Sequence, residues 1–352
     1  MKTTYSIQPI NSDAHKDGLI RLWKTYLQKY FDDRFEWLYT ENPSGSTKTV
    51  LATQQDDDEV VGCASITPRP FFIDGSKFSA GITMDFIVHE NHRTYGPALK
   101  LQRANFSTEN VADFDMILAF PNKAAKGPML RVGCKELGAS SLFTKVLKTK
   151  SKLGRFIKLP VAAKAVGSVL DRILSAADFV RAFPGPGNRV ASIATAFDHR
   201  FDAFWGNVKS DVLIADRSAA YLNWRYAGNR NPGYQIFCLT DKNSESLKGY
   251  VVYFIKDRVA NVEDMFALND KSEWQQLLFA FSRHMRKQDV DAVCVAYFGD
   301  EMLVEVFRKL NFFKNKEARS VLLHISPDLA DSEKKTALNP GNWCLFEGDL
   351  DL

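Results

Sequence analysis

The chain has 352 residues, 45% of them hydrophobic and 25% charged, with a formal net charge of +4, the balance of an ordinary globular protein long enough to bury two cores of domain size. No apolar run approaches the roughly 18 residues a membrane helix needs, and Met1 to Asp13 has neither the basic start nor the apolar block of an export signal. Cys63, Cys134, Cys238, Cys294 and Cys344 are scattered, with no Cys-x-x-Cys, which speaks against a disulfide framework or a zinc knuckle. The expected setting is a reducing cytoplasm, with no metal and no nucleic-acid partner.

In chain order, the first half opens with a block around Trp37 and Tyr39 that ends in Asn42 and Pro43, and a strand opens at Gly62. Gly81 to Val88 is mostly β-branched or apolar and suits a buried strand. Beyond it, Pro97 is pre-organised for the first helical position, and Ala98 to Asn105 continue with good helix formers. Phe114 to Phe120 reads as another buried strand, and a further helix ends at Arg131, Val132 and Gly133. Between Leu137 and Leu170 stand seven basic residues (Lys145, Lys148, Lys150, Lys152, Arg155, Lys158, Lys164) and no acidic one, interleaved with apolar residues such as Phe156 and Leu159. This segment reads either as a solvated linker helix or as a basic amphipathic surface facing a polyanionic substrate or making weak contact with anionic lipid. Phe183 to Asn188 looks like a turn-rich joint.

The second half repeats the first. Tyr221 to Gly233, with Trp224, Tyr226, Asn231 and Pro232, echoes Phe35 to Gly45, and in both halves 25 positions separate the Trp from a strand-opening glycine, Gly62 or Gly249. Met84 to Ile87 parallels Glu263 to Phe266, and Phe114 to Phe120 parallels Val290 to Ala296. The inferred order is strand pair, strand, helix, strand, helix, strand, an α/β arrangement built twice. The expected divisions are residues 1–145 and 196–352, with 146–195 as a basic linker region.

The stretch from Asp85 through Arg93, Thr94, Tyr95, Gly96, Pro97 and Ala98 carries the clearest chemistry. A strand that runs into a helix presents unpaired backbone N–H groups and the positive end of the helix dipole to an anion, and the small residues at 96 and 98 let a pyrophosphate approach the backbone. Gly-x-x-x-x-Gly-Lys-Ser/Thr and Gly-x-Gly-x-x-Gly phosphate loops are absent. His89 and His92 have the wrong spacing for a zinc-protease helix and read as polar loop positions.

On these residues the chain resembles the GNAT acyltransferase superfamily, specifically the bacterial tandem-GNAT proteins often associated with polysaccharide gene clusters. Arg93, Gly96 and Ala98 match the family's acyl-CoA motif after the expected strand; Phe120, Pro121 and Asn122, then Ala124 and Gly133, resemble its next strand, CoA-contacting Asn and closing Gly. Tyr221 to Tyr226 resembles a block typical of these proteins. The resemblance implies two tandem GNAT-like domains, each a mixed, mostly antiparallel sheet flanked by helices. It also implies transfer of an acyl group, acetyl first, from acyl-CoA to a small-molecule or saccharide amine such as an amino sugar or polysaccharide precursor. The implied CoA-binding residues are Ile87, Val88, Arg93, Thr94, Tyr95, Gly96, Pro97, Ala98 and Asn122, with a strand N–H near Ile87 or Val88 facing the oxyanion. Asp85 is the implied base or amine-positioning group, and Tyr95 either returns a proton to the CoA thiolate or packs beside the pantetheine.

Three departures qualify the resemblance. Pro97 removes one N–H from the cradle. Leu268 to Trp274, the second-half counterpart, is acidic and lacks glycine, so one CoA site is expected, in the first half. Asp264 matches Asp85 where no cradle exists, which favours a structural role for Asp85. Cys134 is expected to be an inert thiol, and Trp37, Tyr39, Trp224 and Tyr226 to be core or interdomain packing rather than a sugar platform. The acidic end, Glu347, Asp349 and Asp351, reads as a solvated terminus in preference to a lure for a cationic amine. Two other functions stay open: a membrane-peripheral enzyme using a lipid-linked acceptor or longer acyl-CoA, and a GNAT-fold binding protein without catalysis.

Overall fold

A computed structural model describes residues 4–27, 30–56, 58–93, 95–148, 188–227, 233–268 and 270–350, with the backbone alone at 12, 13, 95 and 316–318. The first half runs β1 (Tyr5–Pro9), α1 (Ser12–Tyr26), α2 (Arg34–Tyr39), β2 (Lys48–Gln54), β3 (Val60–Pro68), a small hairpin β4 (Phe71–Ile73) and β5 (Ser76–Phe78), β6 (Ala80–Val88), α3 (Tyr95–Asn105), α4 (Thr108–Val111), β7 (Met116–Ala119), α5 (Lys123–Arg131) and β8 (Lys135–Val146). The second runs β9 (Arg189–Ala194), α6 (His199–Trp205), β10 (Ile214–Ala215), α7 (Ala219–Tyr226), β11 (Gln235–Asp241), β12 (Leu247–Lys256), β13 (Val259–Ala267), α8 (Lys271–Lys287), β14 (Ala292–Gly299), α9 (Glu301–Lys309), β15 (Phe313–Ile325), α10 (Asp331–Leu338), β16 (Cys344–Phe346) and α11 (Glu347–Leu350).

Local signals explain the elements. Every residue of β3 from Val60 to Thr67 is buried, as its continuous apolar run requires. In α8, Trp274, Leu277, Leu278, Phe281 and Met285 fall on one face and are all buried. The Asp270 side chain caps its start, and His284, Arg286 and Lys287 sit at its negative end. Among the described residues no helix is long and apolar enough to cross a membrane.

Of the described strands, β10, β4 and β5 form a separate three-stranded sheet, and the other thirteen form one mixed sheet in the order β1-β2-β3-β6-β7-β15-β8-β14-β13-β12-β11-β9, with β16 attached to β14. Only β6 with β7 and β13 with β14 are parallel among the pairs of this sheet, which is the mixed, mostly antiparallel architecture expected of each half. The two halves exchange a strand. β15, from the second half, lies between β7 and β8, while β8, from the first, lies between β15 and β14. Neither 1–145 nor 196–352 therefore holds all the strands of its own sheet. β9 also departs from the expected linker: it pairs with β11 and forms an edge of the sheet. Lys145 leaves the basic surface as well, being buried in β8 with Nζ 5.4 Å from the Phe312 ring. Lys150 to Lys164, and the turn up to Gly187, lie outside the described residues.

The sequence repeat marks a pseudo-twofold contact. Trp37 Nε1 donates to the Trp224 carbonyl at 2.9 Å, Trp224 Nε1 donates to the Trp37 carbonyl at 2.9 Å, and the rings stack at 4.5 Å. Tyr39 and Tyr226 sit inward, Tyr39 bonded to Thr49 and Tyr226 buried, so these aromatics are packing groups. The repeated glycines share a cause too. A Cβ on Gly62 would lie 3.0 Å from the Ile87 carbonyl and 2.9 Å from Leu101 of α3; on Gly249 it would lie 3.0 Å from the Phe266 carbonyl and 3.1 Å from Leu277 of α8. In each half a helix presses on the sheet at a point where only glycine fits.

The acidic end is not a solvated terminus, and this corrects the reading of Asp349. β16 pairs with β14 (Tyr297 with Phe346, Gly299 with Cys344), and α11 follows it into the space beside β13. Asp349 is 1% exposed; it accepts from Arg69, from Arg217 NH2 at 2.9 Å and from the Phe346 amide at 3.0 Å. Arg217 also donates to Asp264 at 2.9 Å, and Asp264 accepts from the Tyr250 hydroxyl at 2.7 Å. Gly348 allows the approach, because a Cβ there would meet the Tyr226 hydroxyl at 1.8 Å. Asp349 is one of two acids in a buried ion cluster between the halves, while Glu347 pairs with Arg319 at 3.2 Å. Asp351 lies outside the described residues.

Candidate functional site

The site begins where two parallel strands part. β6 pairs with β7 only from Ala80 to Ile82, opposite Met116 to Leu118, although β6 continues to Val88. Past Ile82 the strands open into a gap. On its other side β6 stays paired with β3, but the register slips between Cys63 and Ser65. The slip is a bulge centred on Asp85, which takes φ +50°, a left-handed conformation costing on the order of 1 kcal/mol for a residue with a Cβ.

Side-chain contacts hold that backbone. Asp85 Oδ1 accepts from Arg34 NH2 at 2.8 Å, with the two side chains 3% and 4% exposed. Cys63 Sγ donates to the Asp85 carbonyl at 3.0 Å. Arg34 lies 5.4 Å from the Trp23 ring and 5.9 Å from the Trp37 ring. Asp85 as a whole is only half-buried, so its exposure belongs to its backbone while its carboxylate faces inward.

The bulge sets which amides face the gap. His89 N–H bonds the Val61 carbonyl and Ile87 sits opposite Cys63, so alternation turns the N–H and C=O of Val88 to the far side. The Val88 carbonyl is found there, accepting Nε of Arg93 at 3.0 Å. Ile87 points its side chain into the core against α1 and α2, and Val88 packs on the α3 side. Of the expected oxyanion donors, Val88 has its amide on the gap side.

Next comes the cradle. A short 3-10 turn, Glu90–His92, links β6 to α3; the Glu90 amide donates to the Tyr26 hydroxyl at 3.0 Å, and His92 Nδ1 is 2.9 Å from the Tyr5 hydroxyl. Arg93 lies with its guanidinium 5.2 Å from the Tyr26 ring. Since α3 starts at Tyr95, Pro97 is its third residue rather than its first, and it is buried. The amides of Tyr95 and the exposed Gly96 precede the first closed helical turn and are available to an anion; Ala98 is where that turn closes. Thr94 and the Tyr95 side chain lie outside the described residues. At the far end of β7, exposed Asn122 caps α5, its Oδ1 accepting from the Ala124 and Ala125 amides at 3.0 Å each, so the cap uses its oxygen and not its NH2.

The second half shows how such a gap is closed. Pairing of β13 with β14 stops at Val262 and Val295, and β16 then joins β14. Both helix starts facing this region carry their own carboxylates: Asp270 caps α8 and Asp300 caps α9 at 2.9 Å from the Leu303 amide. Burial raises the Asp300 carboxyl. What remains is a cavity of about 20 Å³ lined by Phe266, Trp274, Asp300, Leu303 and Cys344, room for one water. A strand and two carboxylates occupy this region, and carboxylates at helix starts disfavour an anion there.

Cys134 is buried and burial pushes its thiol up to about 12, which suits an inert group. Among the described residues no group of three His, Cys, Asp or Glu side chains is placed to hold a metal. The Arg34 partner of Asp85, and the ion cluster of Arg69, Arg217 and Asp349, left no mark in the sequence, because each pairing spans 51 or more positions.

Neither a protein-family model nor a curated protein matches the chain in sequence. In structure it is similar to a conserved protein of unknown function from Enterococcus faecalis V583, described as a probable N-acyltransferase, at 12% identity and TM-score 0.63 over 92% of this chain and 72% of that one. A GCN5-related N-acetyltransferase from Kribbella flavida is similar at 14% identity and TM-score 0.59 over 92% and 71% of the two chains. N-myristoyltransferase from Saccharomyces cerevisiae, with bound myristoyl-CoA, is similar at 11% identity and TM-score 0.56 over 100% and 86%. The chain has the GNAT fold.

Proposed function

We propose that the chain transfers an acyl group from acyl-CoA to an amine at the gap between β6 and β7. The observation that carries this reading is the contrast between the halves: one gap ends in free helix amides and Gly96, the other in a strand and two aspartates. The CoA diphosphate lies on the amides of Tyr95 and Gly96, with Arg93 and Asn122 at either side and Thr94, Pro97 and Ala98 shaping the loop. Val88 N–H stabilises the oxyanion formed as the amine attacks the thioester carbonyl. Three residues of strand, about 10 Å, separate Val88 from the Asp85 bulge, along which the acyl end runs past Ile87. Acetyl is the favoured group, because Ala80, Met116 and Leu118 at the closed end of the gap are packed in the core and a longer chain has to displace them.

Asp85 enters as a positioning residue, since Arg34 holds its carboxylate inward. Tyr95 heads α3 next to the diphosphate, well beyond the thioester, which favours packing beside the cofactor over proton return. The acceptor is a small amine reached from the α2 side, with an amino sugar or polysaccharide precursor first in the panel on the strength of the sequence resemblance. Thiol release from acetyl-CoA with that panel tests the reading: turnover in the wild type, loss in Gly96→Glu, and retained kcat in Tyr95→Phe are expected. No thiol release with any amine, despite bound acetyl-CoA, leaves a binding protein in its place.

A further inference from the structure

The core that backs the Asp85 bulge is not made by the first half alone. Tyr221 and Trp224 of α7, in the second half, are buried in the same cluster as Trp23, Trp37, Cys63, Met84 and Ile87. Trp224 is joined to Trp37 by two reciprocal hydrogen bonds of 2.9 Å and a ring stack. Trp37 and Trp23 flank Arg34, and Arg34 bonds Asp85 at 2.8 Å. Asp85 carries the one left-handed backbone of β6, and the bulge there fixes the side to which the Val88 amide turns.

We propose that the second half is a working part of the acyl-transfer site of the first: Trp224 holds Trp37, Trp37 holds Arg34, and Arg34 holds the bulge that aims the Val88 amide into the gap. This rests on the reading of the gap as the acyl-CoA site. Trp224, Trp37, Arg34 and Asp85 are positioning residues, none of them touching the donor. The side chains of every link are buried, so a loosened Trp224 is felt at Asp85 as freedom of the Arg34 head. Arg34 holds the Asp85 side chain and Cys63 its carbonyl, so when the Arg34 hold weakens the left-handed Asp85 relaxes towards regular pairing with β3. Regular pairing shifts the following residues by one and turns the Val88 amide towards β3. The second half, having closed its own gap with β16, keeps a role through α7.

Hydrogen exchange of the full chain tests the proposal without needing the acceptor. Peptides covering 84–90 are followed in the wild type, Trp224→Leu, the milder Trp224→Phe and Arg34→Lys. Exchange in 84–90 is expected to rise about fivefold, the factor for one lost hydrogen bond, while β2 and β11 stay at the wild-type rate. With an active acceptor, kcat falls about tenfold and the KM for acetyl-CoA moves less than twofold, the signature of an interaction made in the transition state. Unchanged exchange in 84–90 in all three variants, or an equal rise throughout the sheet, overturns the coupling. Failure of acetyl-CoA to protect 84–98 in the wild type overturns the acyl-CoA reading instead, and the variant comparison still decides the coupling.

Discussion

Replacing Asp349 with alanine removes the carboxylate that two buried guanidiniums share. Arg69 and Arg217, 2% and 1% exposed, then have Asp264 as the nearest acid, and the Phe346 amide loses its acceptor. Breaking a buried pair from one side costs about 3–5 kcal/mol, a large part of an ordinary folding stability of about 5–15 kcal/mol. At roughly 2 °C per kcal/mol for a large cooperative unit, 4 kcal/mol corresponds to a fall of about 8 °C. Differential scanning calorimetry at pH 7 measures it, with Asp349→Asn expected between variant and wild type because it keeps an acceptor. The sign of the pH dependence follows from the cluster. Burial pushes the Asp349 carboxyl up, but Arg217 and Arg69 outweigh burial and hold it below the ordinary carboxylate range. A depressed acid contributes stability above its unfolded value, about 3.9, and loses it as pH falls through the folded value. The gap between wild type and Asp349→Asn is therefore full at pH 7 and closes below pH 4. Asp264 is raised, by burial first, with Arg217 opposing and Asp349 adding, so its own contribution has the opposite sign. A melting temperature for Asp349→Ala within 2 °C of wild type at pH 7 refutes the buried-cluster argument.

Other consequences follow from the repeat and the exchanged strands. Gly62→Ala and Gly249→Ala each drive a Cβ into a carbonyl and a leucine, so both should destabilise by about 1–3 kcal/mol, read from urea midpoints. Trp37→Phe and Trp224→Phe each remove one indole donor from a buried backbone carbonyl, so each should cost about 1 kcal/mol or more; two single costs near zero deny the reciprocal hydrogen bonds. Residues 1–148 expressed alone should lack dispersed amide signals, because β7 needs β15 beside it, and co-expression with 188–352 should recover a folded complex.

The parts of the fold visible in the sequence are those with local causes. Gly62 and Gly249 stand at matching distances from Trp37 and Trp224 because the same helix-on-strand contact demands glycine in both halves. The succession of strand, loop and helix start from Asp85 to Ala98 is legible because its causes are local. Pro97 marks a helix start at its own position, whereas α3 begins two residues before it, at Tyr95, shortly after the 3-10 turn. The exchange of β8 and β15 left no trace, as each keeps the sequence position it would hold unexchanged. Asp349 was read as solvated because its neighbours Glu347 and Asp351 look like a charged tail, while its partners lie 280 and 132 positions away. Asp85 shows both sides: its place on β6 was legible, its burial against Arg34 was not.

The central claim is that the chain holds one acyl-CoA site, built by β6, the Arg93 loop and α3, while the second gap is closed by β16 and its own aspartates. Isothermal titration of the full chain with acetyl-CoA tests it most directly. The account predicts one molecule bound per chain, abolished by Gly96→Glu and unchanged by Asp300→Asn. Two molecules per chain, none, or binding that survives Gly96→Glu contradicts it.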